Sequence, residues 1–232
     1  MKIQAELRKL ADKEKAKLLQ RFFKTGKGEY GEGDIFLGVV VPNQRKIVKQ
    51  FWKETSLNEI QELLNSRIHE ERLTGLLILV QKYKKSDLEE KTRIFDFYLK
   101  NKHNINNWDL VDLSAPNIVG DFLINLDKSI LYNLAKSDNL WSKRISIIAT
   151  AAFIRNNQFK DTIKISEILL KDSHDLIHKA VGWMLREIGK RNQEQLEIFL
   201  RKHYKDMPRT MLRYSIERLE ENKRLKYLNS EI

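Results

Sequence analysis

Apolar residues recur three and four positions apart in segment after segment of this chain: Leu73, Leu76, Leu77 and Val80; Ile145, Ile148, Ala151 and Ala152; Ile177, Ala180, Val181 and Met184. That spacing gathers them on one face of a helix, so each segment reads as an amphipathic helix needing a neighbour to cover it. Short polar breaks at 84–87, 137–139, 156–158 and 171–173 separate the segments and supply N-cap residues, Ser173 among them. The stretch from Ala5 to Phe23 reads as one further helical segment. Only 3 prolines occur in 232 residues, and no run of strands is apparent. The expected fold is all-α. A chain of this length can form one domain, so residues 1–232 are read as a single array.

The segments also resemble one another at a loose period. Taking Arg72, Asp112, Arg144, Lys179 and Arg213 as equivalent positions gives intervals of roughly 32 to 40 residues, the period of two-helix repeats of the HEAT type. The expected architecture is a curved superhelical stack of helix pairs whose second helices line a concave groove. A basic residue recurring at one place in each pair would run a positive stripe along it. Asp112 breaks that stripe. It either pairs with Arg144 as an ordinary ion pair between neighbouring repeats or serves chemistry.

Charge indicates the partner. Lys plus Arg number 43 against 32 Asp plus Glu, a formal net charge of +11, which favours a polyanion. No apolar run approaches the ~20 residues needed to span a bilayer, and residues 1–10 lack the apolar stretch of a signal peptide, so a cytoplasmic protein that binds nucleic acid is expected. Cysteine is absent, which excludes disulfides, thiolate nucleophiles and Cys-based metal sites.

Several catalytic motifs can be set aside. Gly26, Gly28 and Gly31 match G-x-G-x-x-G, but a dinucleotide site needs a preceding strand and a following helix, whereas this stretch follows a helical segment and continues as loop. The loop either lets its backbone and Lys24 or Lys27 approach DNA or closes the first repeat. His174 and His178 with Asp175 imitate a zinc-binding helix, yet Asp replaces the expected Glu and no third ligand is evident, so a capping or solvated role is expected. Neither a G-x-S-x-G nor a Walker motif occurs.

The richest cluster is NNWDLVD at 106–112, followed by WSKR at 141–144 and HKAVGWMLREIGK at 178–190. Trp108 and Asp112 stand four apart and share a helix face, as do Lys179 and Trp183. Taken singly, each tryptophan reads as core. Together, two indoles and a carboxylate within a basic surface suit a cationic group carried on a polyanion, since indole faces attract cations by roughly 0.5 to 2 kcal/mol each.

These motifs, with QRFFKTGKGEYGEGDIFLGV at 20–39 and VPNQRKIVK at 41–49, resemble the AlkD-type DNA alkylation repair family of HEAT-like proteins over about Lys17 to Lys190, in the same order. The resemblance implies a DNA glycosylase that releases N3- and N7-alkylated purines without metal or organic cofactor and without rotating the damaged base into a pocket. It implies a catalytic role for Asp112, lesion-flanking roles for Trp108 and Trp183, and a groove role for Arg144. Phe22 stands where a related protein can carry Tyr, so no hydroxyl contact is implied there. Expected DNA contacts are Lys24, Lys27, Arg45, Lys46, Arg72, Lys143, Lys179, Arg186 and Arg213. The expected partner is double-stranded DNA carrying alkylated purines, bound by a monomer with no obligate protein partner. Two other readings fit a helical array: a non-catalytic module that binds branched or distorted DNA, and a protein-interaction scaffold.

Overall fold

The computed structural model describes residues 1–232 as helices joined by loops, the longest of them residues 23–40. The helices are α1 (Lys2–Lys9), α2 (Lys13–Phe22), α3 (Val41–Phe51), α4 (Leu57–Leu64), α5 (His69–Tyr83), α6 (Leu88–Lys100), α7 (Trp108–Ala115), α8 (Asp121–Leu123), α9 (Ser129–Ala135), α10 (Leu140–Ala149), α11 (Ala151–Arg155), α12 (Lys160–Ile168), α13 (Asp175–Arg191), α14 (Gln193–His203), α15 (Arg209–Ser215) and α16 (Glu221–Asn229). The only β-type pairing is an isolated parallel bridge between Ile35 and Ile68. The chain forms two compact units, Met1–Ser114 and Ala115–Ile232.

Polar breaks end helices where capping chemistry is available. Asp87, Asn139 and Asn192 accept from the backbone N–H three residues on, at 2.9, 2.9 and 3.1 Å, satisfying donors that a helix start leaves open. Ser56 and Glu59 cap α4 reciprocally. The expected helix from Ala5 to Phe23 is instead two. Asp12 accepts from the N–H groups of Glu14 and Lys15, both at 3.1 Å, and its own N–H donates to the Leu37 carbonyl, so the chain restarts there as α2. The predicted cap at Ser173 is likewise displaced by one residue: His174 Nδ1 accepts from Leu176 N–H at 3.1 Å.

In the first unit α5 packs on α3 and α4. It departs from the amphipathic expectation, for every residue from His69 to Val80 is buried. A helix buried all round must bury the charges of its first turn too, and here each has partners. The Glu70 carboxylate accepts from the N–H groups of Leu37, Gly38 and Val39 at 2.8–3.1 Å. Glu71 ties α1 to α5 by accepting from Gln4 and Arg8 at 2.8 and 3.0 Å. Gly38 makes the turn possible: its φ is +86°, and a Cβ there would lie 2.1 Å from the Asp12 carbonyl oxygen.

The second unit is a two-layer stack. One layer is α10, α13 and α15 in sequence, while α9, α12 and α14 pack behind. The α13–α15 approach is close because a Cβ at Gly182 would meet Tyr214 Cβ at 2.5 Å and the Met211 carbonyl at 2.6 Å. Ile145, Ile148 and Ala152 are buried as the spacing predicts, although the segment is divided between α10 and α11 at Thr150.

Candidate nucleic-acid site

A positional register emerges from the helix boundaries. Asp112, Arg144, Lys179 and Arg213 are each the fifth residue of their helices, α7, α10, α13 and α15. Arg45 holds the fifth place of α3 as well, extending the series beyond the five positions aligned from sequence. A recurring helix position is what a repeat array produces, and four of these five carry cations.

Arg72, aligned with these residues in the sequence, is taken up by the interior instead. It is the fourth residue of α5, is 4 % exposed, and donates from Nη2 to Asp34 Oδ1 at 2.6 Å and from Nη1 to the Ser66 carbonyl at 2.8 Å. Both terminal nitrogens serve the interior, so its role is structural and not phosphate binding.

In the first unit, Trp108 and Asp112 are half-buried on α7. Trp108 stacks on Phe23 with ring centroids 5.0 Å apart and planes 10° apart, and meets Phe22 edge-on at 5.8 Å. Phe22 is 63 % exposed, an aromatic edge left in solvent beside the indole. Lys24, Lys27, Arg45 and Lys46 are exposed. Lys24 takes a left-handed φ of 55° just after α2, and its ammonium lies 4.0 Å from Glu29.

Beneath this surface lies a buried cluster that sequence reasoning missed. His69 Nδ1 lies 3.0 Å from Asp34 Oδ2, and its Nε2 lies 2.9 Å from Asp109 Oδ2. Asn107 Nδ2 donates to Asp34 at 3.4 Å. Phe36 stacks on the imidazole at 4.5 Å, and Phe23 lies against it at 4.9 Å. Burial opposes ionisation of Asp34, yet the His69 hydrogen bond and the Arg72 charge outweigh it and hold the carboxyl below its ordinary range. A signal for this cluster was present: in HEERLTGLLILV, four ionisable residues open a run with no polar face beyond them.

In the second unit, Arg144 is buried and donates from Nη1 to the Leu176 carbonyl at 2.6 Å, bracing α10 against the start of α13. Lys143 pairs with Asp172 at 2.7 Å and Lys179 with Asp175 at 2.8 Å. Arg186 pairs with Glu217, and Arg213 is exposed. Trp183 is half-buried, with Nε1 donating to Glu187 at 3.2 Å; it borders a cavity of about 220 Å³ shared with Arg155 and Arg191. His174 and His178 are engaged at the start of α13: His178 Nε2 lies 2.5 Å from the Asp172 carbonyl. No group of His, Asp and Glu side chains is spaced to hold a metal ion.

Fold and register thus define an all-helical repeat protein with a series of cations, broken by one carboxylate, at matching places in its helices. The family model for DNA alkylation repair enzymes matches residues 3–219, and the chain belongs to that family. Among solved structures, it is similar to a predicted DNA alkylation repair enzyme from Enterococcus faecalis, at 18% identity and a TM-score of 0.71 over 91% of this chain and 97% of the other. It is also similar to AlkD2 from Streptococcus mutans, at 16% identity and a TM-score of 0.56 over 90% of this chain and 99% of the other. At such identities these likenesses establish the fold alone. No curated protein sequence matches. No helix is long and apolar enough to cross a membrane.

Proposed function

We propose that this protein is a DNA N-glycosylase that hydrolyses the bond between deoxyribose and a cationic N3- or N7-alkylated purine. The observation that carries the reading is Asp112: a carboxylate at the one helix place where Arg45, Arg144, Lys179 and Arg213 are basic, one helical turn from the half-buried indole of Trp108. A surface selected only to hold phosphates gains nothing from an acid there.

The chemistry asks little more of the protein. Alkylation at N3 or N7 leaves the purine positively charged; when the C1′–N bond breaks, its electron pair neutralises the base, and the sugar becomes oxocarbenium-like. Asp112 stabilises that cation and receives a proton from the water that adds to C1′. Trp108, held by its stack on Phe23, presents an indole face to the charged nucleotide. In the second unit, Trp183 and Arg144 take the lesion-flanking and groove roles that the family resemblance implies. Lys24, Lys27, Arg45, Lys46, Lys143, Lys179, Arg186 and Arg213 serve the DNA backbone. The protein acts on double-stranded DNA as a monomer in the cytoplasm.

Base release from methylated duplex DNA tests the proposal directly. Because the site offers no strong general acid for a neutral leaving group, 7-methylguanine and 3-methyladenine should be released and uracil retained. Efficient excision of uracil from intact duplex would sink the mechanism and point to a pocket that extracts and activates neutral bases. Binding to undamaged duplex should be mainly electrostatic. If about 4 to 6 phosphates are engaged, log K should fall against log salt with a slope of about −4 to −5, and a slope near zero would remove the DNA-backbone reading.

A further inference from the structure

We propose that His69 is a positioning residue for the site: by bridging Asp34 and Asp109 from beneath, it pins the first turn of α7 and so fixes how Trp108 and Asp112 are presented. The inference rests on the functional reading above for the meaning of those two residues, but its structural content stands apart from it.

Both ring nitrogens of His69 face carboxylate oxygens, at 3.0 and 2.9 Å. A neutral imidazole has one N–H and would turn a lone pair towards one of those carboxylates; only the imidazolium donates to both. With His69 charged, the buried cluster closes electrically, two carboxylates (Asp34 and Asp109) against two cations (His69 and Arg72). Three elements meet there: the loop bearing Asp34, α5 bearing His69 and Arg72, and α7 bearing Asp109. Asp109 is the second residue of α7, between Trp108 and Asp112 in sequence, so its anchor sets the helix's rotation and depth. Trp108 is tied in a second way, because Phe23 lies against both its indole and the His69 ring.

Burial disfavours the charged ring, but the Asp109 charge and the hydrogen bonds to Asp109 and Asp34 overcome this and raise the pKa of His69 from 6.5 to about 9. Stability from this ring is complete below about pH 6.5 and is lost as pH rises through about 9. Neutralising the ring removes one donor and leaves Asp34 or Asp109 facing a lone pair, which loosens α7.

The test uses the full-length protein labelled with 5-fluorotryptophan, the Trp108 resonance being assigned by Trp108→Phe. Its 19F shift should titrate with a midpoint near 9 in the wild type and stay flat in His69→Gln over that range. Single-turnover release of 7-methylguanine at pH 7 should fall roughly 10- to 100-fold in His69→Gln, with DNA affinity within about threefold, as expected of a misplaced site. If His69→Gln does not fold, Asp109→Asn takes its place and should move the Trp108 midpoint downward. A Trp108 signal that does not titrate, or titrates alike in wild type and variant, overturns the positioning role. A normal titration in a wild-type protein that releases no base upholds it and overturns the glycosylase reading instead.

Discussion

Asp112→Asn should slow single-turnover release of 7-methylguanine by roughly 10- to 1,000-fold, a loss of about 1.4 to 4 kcal/mol of transition-state stabilisation, while binding to DNA holds or improves. The substitution keeps the size of the side chain and removes its charge. If the carboxylate offsets the developing sugar cation, its loss is felt only as that cation forms. In the ground state the same charge repels phosphate, so neutralising it favours binding. A purely structural ion pair gives the opposite pattern, stability and binding falling together. Thermal melting beside the rate measurement separates the two, and undiminished release by a folded variant would overturn the catalytic assignment.

Arg72→Ala should lose roughly 3 to 5 kcal/mol of stability, the usual consequence of removing one partner from a buried ion pair. For a chain of this size that lowers the melting temperature by about 2 to 4 °C per kcal/mol. The reason is local: Asp34 loses the guanidinium that holds it at 2.6 Å, the Ser66 carbonyl loses its donor, and His69 is left as the cation facing both carboxylates. The salt dependence of DNA binding by whatever folds should match the wild type. Were Arg72 a phosphate contact after all, the variant would melt normally and its salt slope would shrink by about 1.

Much was legible in the sequence because helical periodicity is a local property. The spacing of Ile177, Ala180, Val181 and Met184 placed a helix whose inner face is buried as read, and Asp87 and Asn139 cap helices because the bond reaches only three residues along the chain. Four of the five aligned positions kept their register for the same reason. Asp112, Arg144, Lys179 and Arg213 stand at one place in their helices, a regularity of sequence before it is one of structure. Asp112 stood out from the sequence as the acidic exception in that row.

Tertiary structure decided what each charge does. Arg72 and Arg213 were equivalent letters in one alignment, yet one is buried against Asp34 and the other exposed. Periodicity assigns a residue to a face of its helix but does not say how many faces neighbouring helices cover, and α5 is covered on all of them. The cluster of Asp34, His69, Arg72 and Asp109 joins residues up to 75 apart in sequence through hydrogen bonds of 2.6–3.0 Å. No local rule could pair them, because burial removes water as the alternative partner and leaves each charge to be satisfied by whatever the fold brings alongside.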